Sequence, residues 1–306
     1  MKKIETNEEF INEMTKLNFE QIDEDKVDKL CEIAKGGTGT VYNGLIKLTD
    51  NIDFAVVIKE VNSTDYGDDI IFMYNDILSE VAINNELIGT KQQIKMFGYT
   101  LFVKRGITTI YIVLEKLDCS GDIITLLNDS NNWKSLSKDE YKKSSSYLKL
   151  RHETKDNTLY WDYIISYDEK VNMIITMCEA MKELHDRKIV HCDIKPYNML
   201  YYTYYKKDNI TKKRVKFIDY GASQKMENSI LYGPGELGTP GYMPKEMYDG
   251  IITYQGDIYG LGVSMLEIWF GDIWSTDSNN YEDCRQNVLA YMKLLEKGNN
   301  KLYKVI

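Results

Sequence analysis

The strongest constraint on this chain is that it consists of two unlike parts. Residues 1–90 carry 8 lysines and no arginine against 19 aspartates and glutamates, whereas the rest carries 30 basic residues against 28 acidic ones. All four prolines lie at or beyond Pro196, and no internal repeat links the parts. The 306 residues suffice for two packed lobes, and 43% hydrophobic residues argue against wholesale disorder. The net charge of −9 disfavours nucleic acid and anionic membranes as partners, since both are negative. Five scattered cysteines without a CxxC pair point away from a zinc ribbon or disulfide framework and fit a reduced, intracellular setting. Residues 1–20 lack the apolar core of a leader, and no uncharged apolar run approaches the ~18 residues of a membrane span. A soluble cytoplasmic protein is expected, with the nucleus as the alternative.

Apolar spacing places the elements. Thr6 to Asn18 predicts a short helix capped by Thr6, with Phe10, Met14 and Leu17 on one face. Leu30 to Lys59 is strand-like around a glycine cluster, and Ile70 to Gly89 is helical, with Ile77, Val81, Asn84 and Ile88 in one stripe. Thr108 to Leu114 is rich in strand formers, and Leu117 to Gly121 reads as a loop. Residues 129–167 are polar and weakly patterned, which predicts an insertion or mobile loop with local order near Trp161 and Tyr163. Asp168 to Arg187 predicts an amphipathic helix with Val171, Ile174, Ile175, Cys178, Met181 and Leu184 on one face. A hairpin over Met199–Tyr205 and Val215–Ile218, a buried helix from Asp257 to Phe270 and a last helix from Tyr281 to Glu296 complete the pattern.

Four segments carry chemistry. Ala34-Lys35-Gly36-Gly37-Thr38-Gly39-Thr40-Val41 would let backbone approach a polyanion with no Cβ in the way, although alone it reads more readily as a mere tight hairpin. Lys59 closes an apolar strand, where a lysine ordinarily reaches for solvent. His191-Cys192-Asp193-Ile194-Lys195-Pro196-Tyr197-Asn198 puts a carboxylate, an ammonium and an amide within six residues: a proton acceptor, a cation and a metal-binding oxygen, or simply a polar loop. Phe217-Ile218-Asp219-Tyr220-Gly221 ends an apolar strand on a carboxylate, as suits a rigidly held metal ligand or a plain turn.

In this order and at these separations, the four together resemble the signature set of the protein kinase family: Gly-rich loop, strand lysine, H-R-D-x-K-x-x-N loop and D-F-G. Gly238-Thr239-Pro240-Gly241-Tyr242-Met243-Pro244-Lys245-Glu246 is similar to its G-T-x-x-Y-x-A-P-E stretch, and Asp257-Ile258-Tyr259-Gly260-Leu261-Gly262 to its D-x-W-S-x-G helix start. The resemblance covers roughly residues 30–275. It implies an α+β, two-lobed fold with a β-rich N-lobe and a mainly helical C-lobe: an acidic helical extension over 1–29, an N-lobe over 30–116, and a C-lobe over 117–306 carrying the 129–167 insertion and shortened after 275.

The resemblance also implies roles and cofactors, namely ATP and Mg2+. Ala34, Gly36, Gly37, Gly39, Val41 and Val57 would cover the nucleotide. Lys59, paired with Glu80, would hold its phosphates, while Leu114, Glu115 and Leu117 would form the adenine edge. Asp193 would take the proton of the acceptor hydroxyl, Lys195 would neutralise the transferred phosphoryl group, and Asn198 and Asp219 would bind Mg2+. Lys195 and Thr239 imply a serine/threonine acceptor on a protein substrate. Three departures matter. Cys192 replaces the arginine that reads an activation-segment phosphate, which implies activity without phosphorylation there. Asn84 replaces an apolar residue on the Glu80 helix, which implies a loosely set helix open to a regulator. The short end implies either a minimal C-lobe, or a partner protein, subunit or missing sequence covering its exposed face. A pseudokinase scaffold and a small-molecule kinase of the aminoglycoside or choline type are the rival readings.

Overall fold

The computed structural model describes residues 4–36, 39–49, 52–117, 119–123, 126, 133–136, 149–153, 158–163, 167–205, 211–233, 237–270, 285–286 and 289. The chain divides into two compact units, Met1–Leu117 and Asp118–Ile306.

Unit 1 is built on a five-stranded antiparallel sheet of β1 (Val27–Gly36), β2 (Gly39–Thr49), β3 (Ile52–Asn62), β4 (Met96–Lys104) and β5 (Ile107–Glu115), ordered β1-β2-β3-β5-β4. Alternation along β5 sends Ile110 and Ile112 to one face and Tyr111 and Val113 to the other, and both faces are buried. Helices α1 (Asn7–Lys16) and α2 (Ile70–Glu86) cover the first face. α1 starts where expected: the Thr6 hydroxyl accepts from the Glu9 amide at 3.2 Å, and Glu8 and Glu9 occupy the first turn, where the helix dipole favours them. The Asp69 carboxylate caps α2 by accepting from Phe72 N at 2.9 Å. Ile77, Val81 and Asn84 are buried as their spacing predicts. Ile88 lies past the end of α2 and is 56% exposed, because the helix closes at Leu87, whose amide bonds back to Ile83 O.

Unit 2 centres on α3 (Tyr167–Asp186), the short α4 (Lys245–Tyr248) and α5 (Tyr254–Phe270). The buried stripe of α3 runs through Met173, Ile174, Met177, Ala180, Met181 and Leu184, whereas Ile175 and Cys178 are exposed. The stripe is thus rotated from the predicted one, since flexible methionines fill the core side that β-branched residues were expected to take. Leu261, Val263, Leu266 and Ile268 are buried on α5, as that helix's composition predicts.

The unit also contains more strand than its local pattern implied. β6 (Cys119–Asp122), expected as loop, pairs with β11 (Met199–Tyr205), which forms the predicted hairpin with β12 (Thr211–Phe217). Within the polar 129–167 stretch, β7 (Trp133–Leu136), β8 (Lys149–Glu153) and β9 (Thr158–Tyr163) form an antiparallel sheet ordered β7-β9-β8, register-paired through Trp161 and Tyr163. Two two-residue pairings are also seen among the described residues: β10 (Ile189–Val190) with β13 (Gln224–Lys225), and β14 (Leu231–Tyr232) with β15 (Ile251–Ile252). Gly37, most of the expected insertion, the hairpin turn at 206–210 and nearly all of the expected helix over Tyr281–Glu296 lie outside the described residues.

Candidate active site

In unit 1 the strand register gathers the expected nucleotide residues. β1 and β2 pair Ala34 with Val41 and Gly36 with Gly39; β2 and β3 pair Val41 with Lys59; β3 and β5 pair Val57 with Leu114 and Val56 with Glu115. Directly paired residues, and residues two apart, share a sheet face, so Ala34, Val41, Val57, Lys59 and Leu114 all present to one side. Gly39 is required by packing: a Cβ there would stand 2.4 Å from Glu60 O. At the end of β5, Glu115 N donates to Lys95 O at 2.9 Å and Lys95 N donates to the Glu115 carboxylate at 2.8 Å, which fixes the exit toward the half-buried Leu117.

Lys59 does not turn to solvent. Its Nζ lies 2.7 Å from Glu80 Oε2, and the two side chains are only 14% and 11% exposed. A part-buried ion pair of this kind fixes both charges in place, whatever its net worth to stability. One turn further along α2, Asn84 is 6% exposed; its Nδ2 donates to Glu80 O at 3.0 Å, but its Oδ1 meets no donor. A buried orphan acceptor costs about 1–3 kcal/mol.

In unit 2 the loop after β10 forms a dense polar cluster. Asp193 Oδ1 accepts from the Thr239 hydroxyl at 2.6 Å; Asp193 Oδ2 accepts from Asn198 Nδ2 at 2.9 Å and pairs with Lys195 Nζ at 2.8 Å. Lys195 also donates to Thr239 Oγ1 at 2.6 Å, closing a ring of three side chains. Because the Asn198 amide nitrogen is spent on the Asp193 carboxylate and on Asp193 O, its oxygen is the outward end, and no described residue donates to it. Asp219 follows β12 with its backbone at φ +64°, a conformation uncommon for a residue with a Cβ and often found at functional sites. A hard divalent cation suits this donor set, an outward amide oxygen and an exposed carboxylate. Among the described residues no cluster of three or more His, Cys, Asp or Glu is poised to hold a metal by itself.

Residues 27–304 match the protein kinase domain. The chain belongs to the protein kinase family. Among similar proteins are a probable serine/threonine-protein kinase of Dictyostelium discoideum, 25% identical over 316 residues covering 100% of this chain and 40% of that protein, and mitogen-activated protein kinase kinase 8 of Arabidopsis thaliana, 28% identical over 53% of this chain and 59% of that protein. Arabidopsis mitogen-activated protein kinase kinase 7 is 35% identical over 30% of this chain and 29% of its own length. The chain therefore spans less than two thirds of the length of each of these curated relatives.

Within this kinase domain, sequence reasoning placed Asp257 and His191 in family-like segments but gave them no part in holding the Asp193 loop. Asp257, at the start of α5 and 1% exposed, accepts from His191 N at 2.8 Å, Cys192 N at 2.9 Å and His185 Nε2 at 2.9 Å. Its sequence signals were an acid near the start of a largely apolar helix and its place at the head of the D-x-W-S-x-G-like segment. His191 is fully buried: its Nε2–H donates to Ile218 O at 3.1 Å, tying the Asp193 loop to the segment leading to Asp219. Gly260 lets α5 approach, since a Cβ there would stand 2.8 Å from Ile194 O. Buried Tyr242 donates to Glu267 Oε2 at 2.5 Å, giving that intrahelical acid a partner. Cys192 is 2% exposed, and burial pushes its thiol well above the usual cysteine range. It packs with Val190, Met226, Met243, Met247 and Ile252 as a small apolar residue. Among the described residues no helix is long and apolar enough to cross a membrane.

Proposed function

We propose that this kinase domain transfers the γ-phosphoryl group of ATP to serine or threonine hydroxyls of a protein substrate, and does so without activation-segment phosphorylation. The observation that carries the reading is the Asp193–Lys195–Asn198–Thr239 cluster. A carboxylate whose oxygens are held by three neighbours is oriented before substrate arrives, as a general base must be. Asp193 aligns the acceptor hydroxyl and takes its proton. Lys195, on the same carboxylate, places positive charge where the phosphoryl oxygens gather it. Thr239 holds both in register, and its link to Lys195 favours serine and threonine acceptors. Lys59, positioned by Glu80, binds the nucleotide phosphates, while Ala34, Gly36, Gly37, Gly39, Val41, Val57, Leu114, Glu115 and Leu117 enclose the nucleotide. Asn198 and Asp219 would hold Mg2+, which supplies charge neutralisation at the phosphate oxygens. The relatives, named as serine/threonine-protein kinase and mitogen-activated protein kinase kinase, agree with a protein substrate.

Independence from phosphorylation is supported by how the segment after Asp219 is anchored. Ser223 is buried and donates to His191 O at 3.1 Å. β13 pairs with β10, β14 pairs with β15, and Met226 fills the apolar cluster around Cys192. These anchors use backbone pairing and apolar burial, so no cation at position 192 is called upon.

Mg-ATP phosphorylation of generic protein substrates, with Asp193→Ala as control, tests the transfer. Phosphate on serine and threonine, lost in the control, supports the reading. Nucleotide binding without transfer would instead indicate a scaffold, and transfer only to small-molecule alcohols an acceptor of the other class. Unchanged activity after phosphatase treatment supports the second half of the proposal, and abolished activity would sink it.

A further inference from the structure

We infer that α1, which precedes the matched kinase residues 27–304, is a positioning element for Glu80: its docking on α2 keeps the Glu80 carboxylate on Lys59. The inference rests on the kinase reading above, because only there does the Lys59–Glu80 pair have a chemical task.

α2 has two sides of different quality. Glu80 and Asn84, one turn apart, are both buried, and the Asn84 Oδ1 there has no donor. On that side the Lys59–Glu80 pair works against an unmet acceptor, which favours any movement that lets it find water. The stripe of Tyr74, Ile77, Leu78 and Val81, spaced three and four residues apart, is apolar and fully covered. Its cover includes Ile4, Phe10, Met14 and Phe19, all of them 5% exposed or less.

The contacts are specific. Phe10 stacks on Tyr74 with ring centroids 4.8 Å apart and meets Tyr99 of β4 edge-on at 5.8 Å. The Tyr74 hydroxyl donates to Asn7 Oδ1 at the first turn of α1. The chain leaving α1 is then stitched to the sheet edge: Ile22 N donates to Tyr99 O at 2.7 Å, Tyr99 N to Glu20 O at 3.3 Å, and the Thr100 hydroxyl to Ile22 O at 2.9 Å. Residues 4–22 thus form a strap fastened to β4 at one end and pressed on α2 at the other. A strap fastened only to the sheet would leave α2 free, and one fastened only to α2 would move with it. This one ties the helix that carries Glu80 to the sheet that carries Lys59.

A structural role alone would lower stability. A positioning role also couples Phe10 to Glu80. In the full chain, Phe10→Ala and the milder Asn7→Ala and Phe10→Leu are compared with wild type by two readouts. Hydrogen exchange without nucleotide should show the α2 amides around residues 80–84 exchanging about tenfold faster in Phe10→Ala, with β2 and β3 unchanged. In a double-mutant cycle, Phe10→Ala should lower kcat about tenfold alone but less than about twofold in a Glu80→Gln background, while Phe10→Leu restores most of the loss. Should Phe10→Ala fail to fold, Asn7→Ala carries the same cycle with a smaller effect. Unchanged α2 exchange, or kcat losses that multiply, would overturn the proposal. A wild-type chain that transfers no phosphate would defeat the functional reading separately and leave the exchange measurement to decide whether α1 restrains α2.

Discussion

Glu80 in unit 1 and Asp193 in unit 2 are both part-buried carboxylates beside a lysine, at 2.7 and 2.8 Å, yet they are kept in place by different physics. The helix bearing Glu80 is set by apolar packing against α1 and the sheet, from residues as distant as Phe10 and Ile110. The loop bearing Asp193 is set by hydrogen bonds from Lys195, Asn198 and Thr239, and from below by Asp257. Packing is graded: a helix on a slightly altered core shifts a little and keeps working in proportion. A polar network is stepwise, because losing one partner leaves another group buried and unmet. Unit 1 is therefore the tunable half and unit 2 the fixed half.

Substitutions can break that contrast, and the largest effect is expected at its fixed pole. Asp193→Asn should lower kcat by about 10²–10⁴-fold with the circular dichroism spectrum and nucleotide affinity unchanged. A tenfold loss or less would mean that the base lies elsewhere. Asp257→Ala, remote from any reacting atom, should behave almost as severely: it orphans the buried amides of His191 and Cys192 and should cost roughly 2–5 kcal/mol in urea unfolding, with kcat falling alongside. Glu80→Gln should be milder, about 10–100-fold in kcat/KM, because a graded site retains part of its geometry; a loss matching that of Asp193→Asn would erase the distinction between the units.

The smaller predictions sharpen it. Asn84→Leu removes the orphan oxygen and should raise stability by about 1 kcal/mol, read as a shift in the urea midpoint. Destabilisation would show that Asn84 has a partner in solution. At the fixed pole, Cys192 should resist alkylation. Burial raises its thiol pKa, so the reactive thiolate stays scarce at neutral and mildly alkaline pH. Site-resolved mass spectrometry at pH 8 should find exposed Cys31 labelled well ahead of buried Cys192.

The candidate site was legible where its residues are close in sequence. Asp193, Lys195 and Asn198 lie on one short loop and meet there, and Lys59 and Glu80 stand on two strongly patterned elements. What escaped notice was made by distance. Nothing near Asp257 announces that it will accept from amides 66 and 65 residues earlier, and nothing near Phe10 announces Tyr74. β7, β8 and β9 were hidden by composition: lysines and serines around them diluted the strand-favouring run Thr158-Leu159-Tyr160-Trp161, and a strand needs its neighbours more than its own propensity. β6 is four residues long and includes a glycine, too little to distinguish it from a turn.

The span between His191 and Asp257 also sets an order of events in synthesis. The acceptor for the His191 and Cys192 amides is added 66 and 65 residues after them. At the ribosome's ~5–20 residues per second, the Asp193 loop waits roughly 3–13 s for its anchor. Throughout that interval the nascent chain holds the residues of the site without their arrangement, so competence arrives late, as α5 emerges and docks, and a chain stalled before Asp257 would carry every residue of the Asp193–Asn198 loop yet lack its anchor.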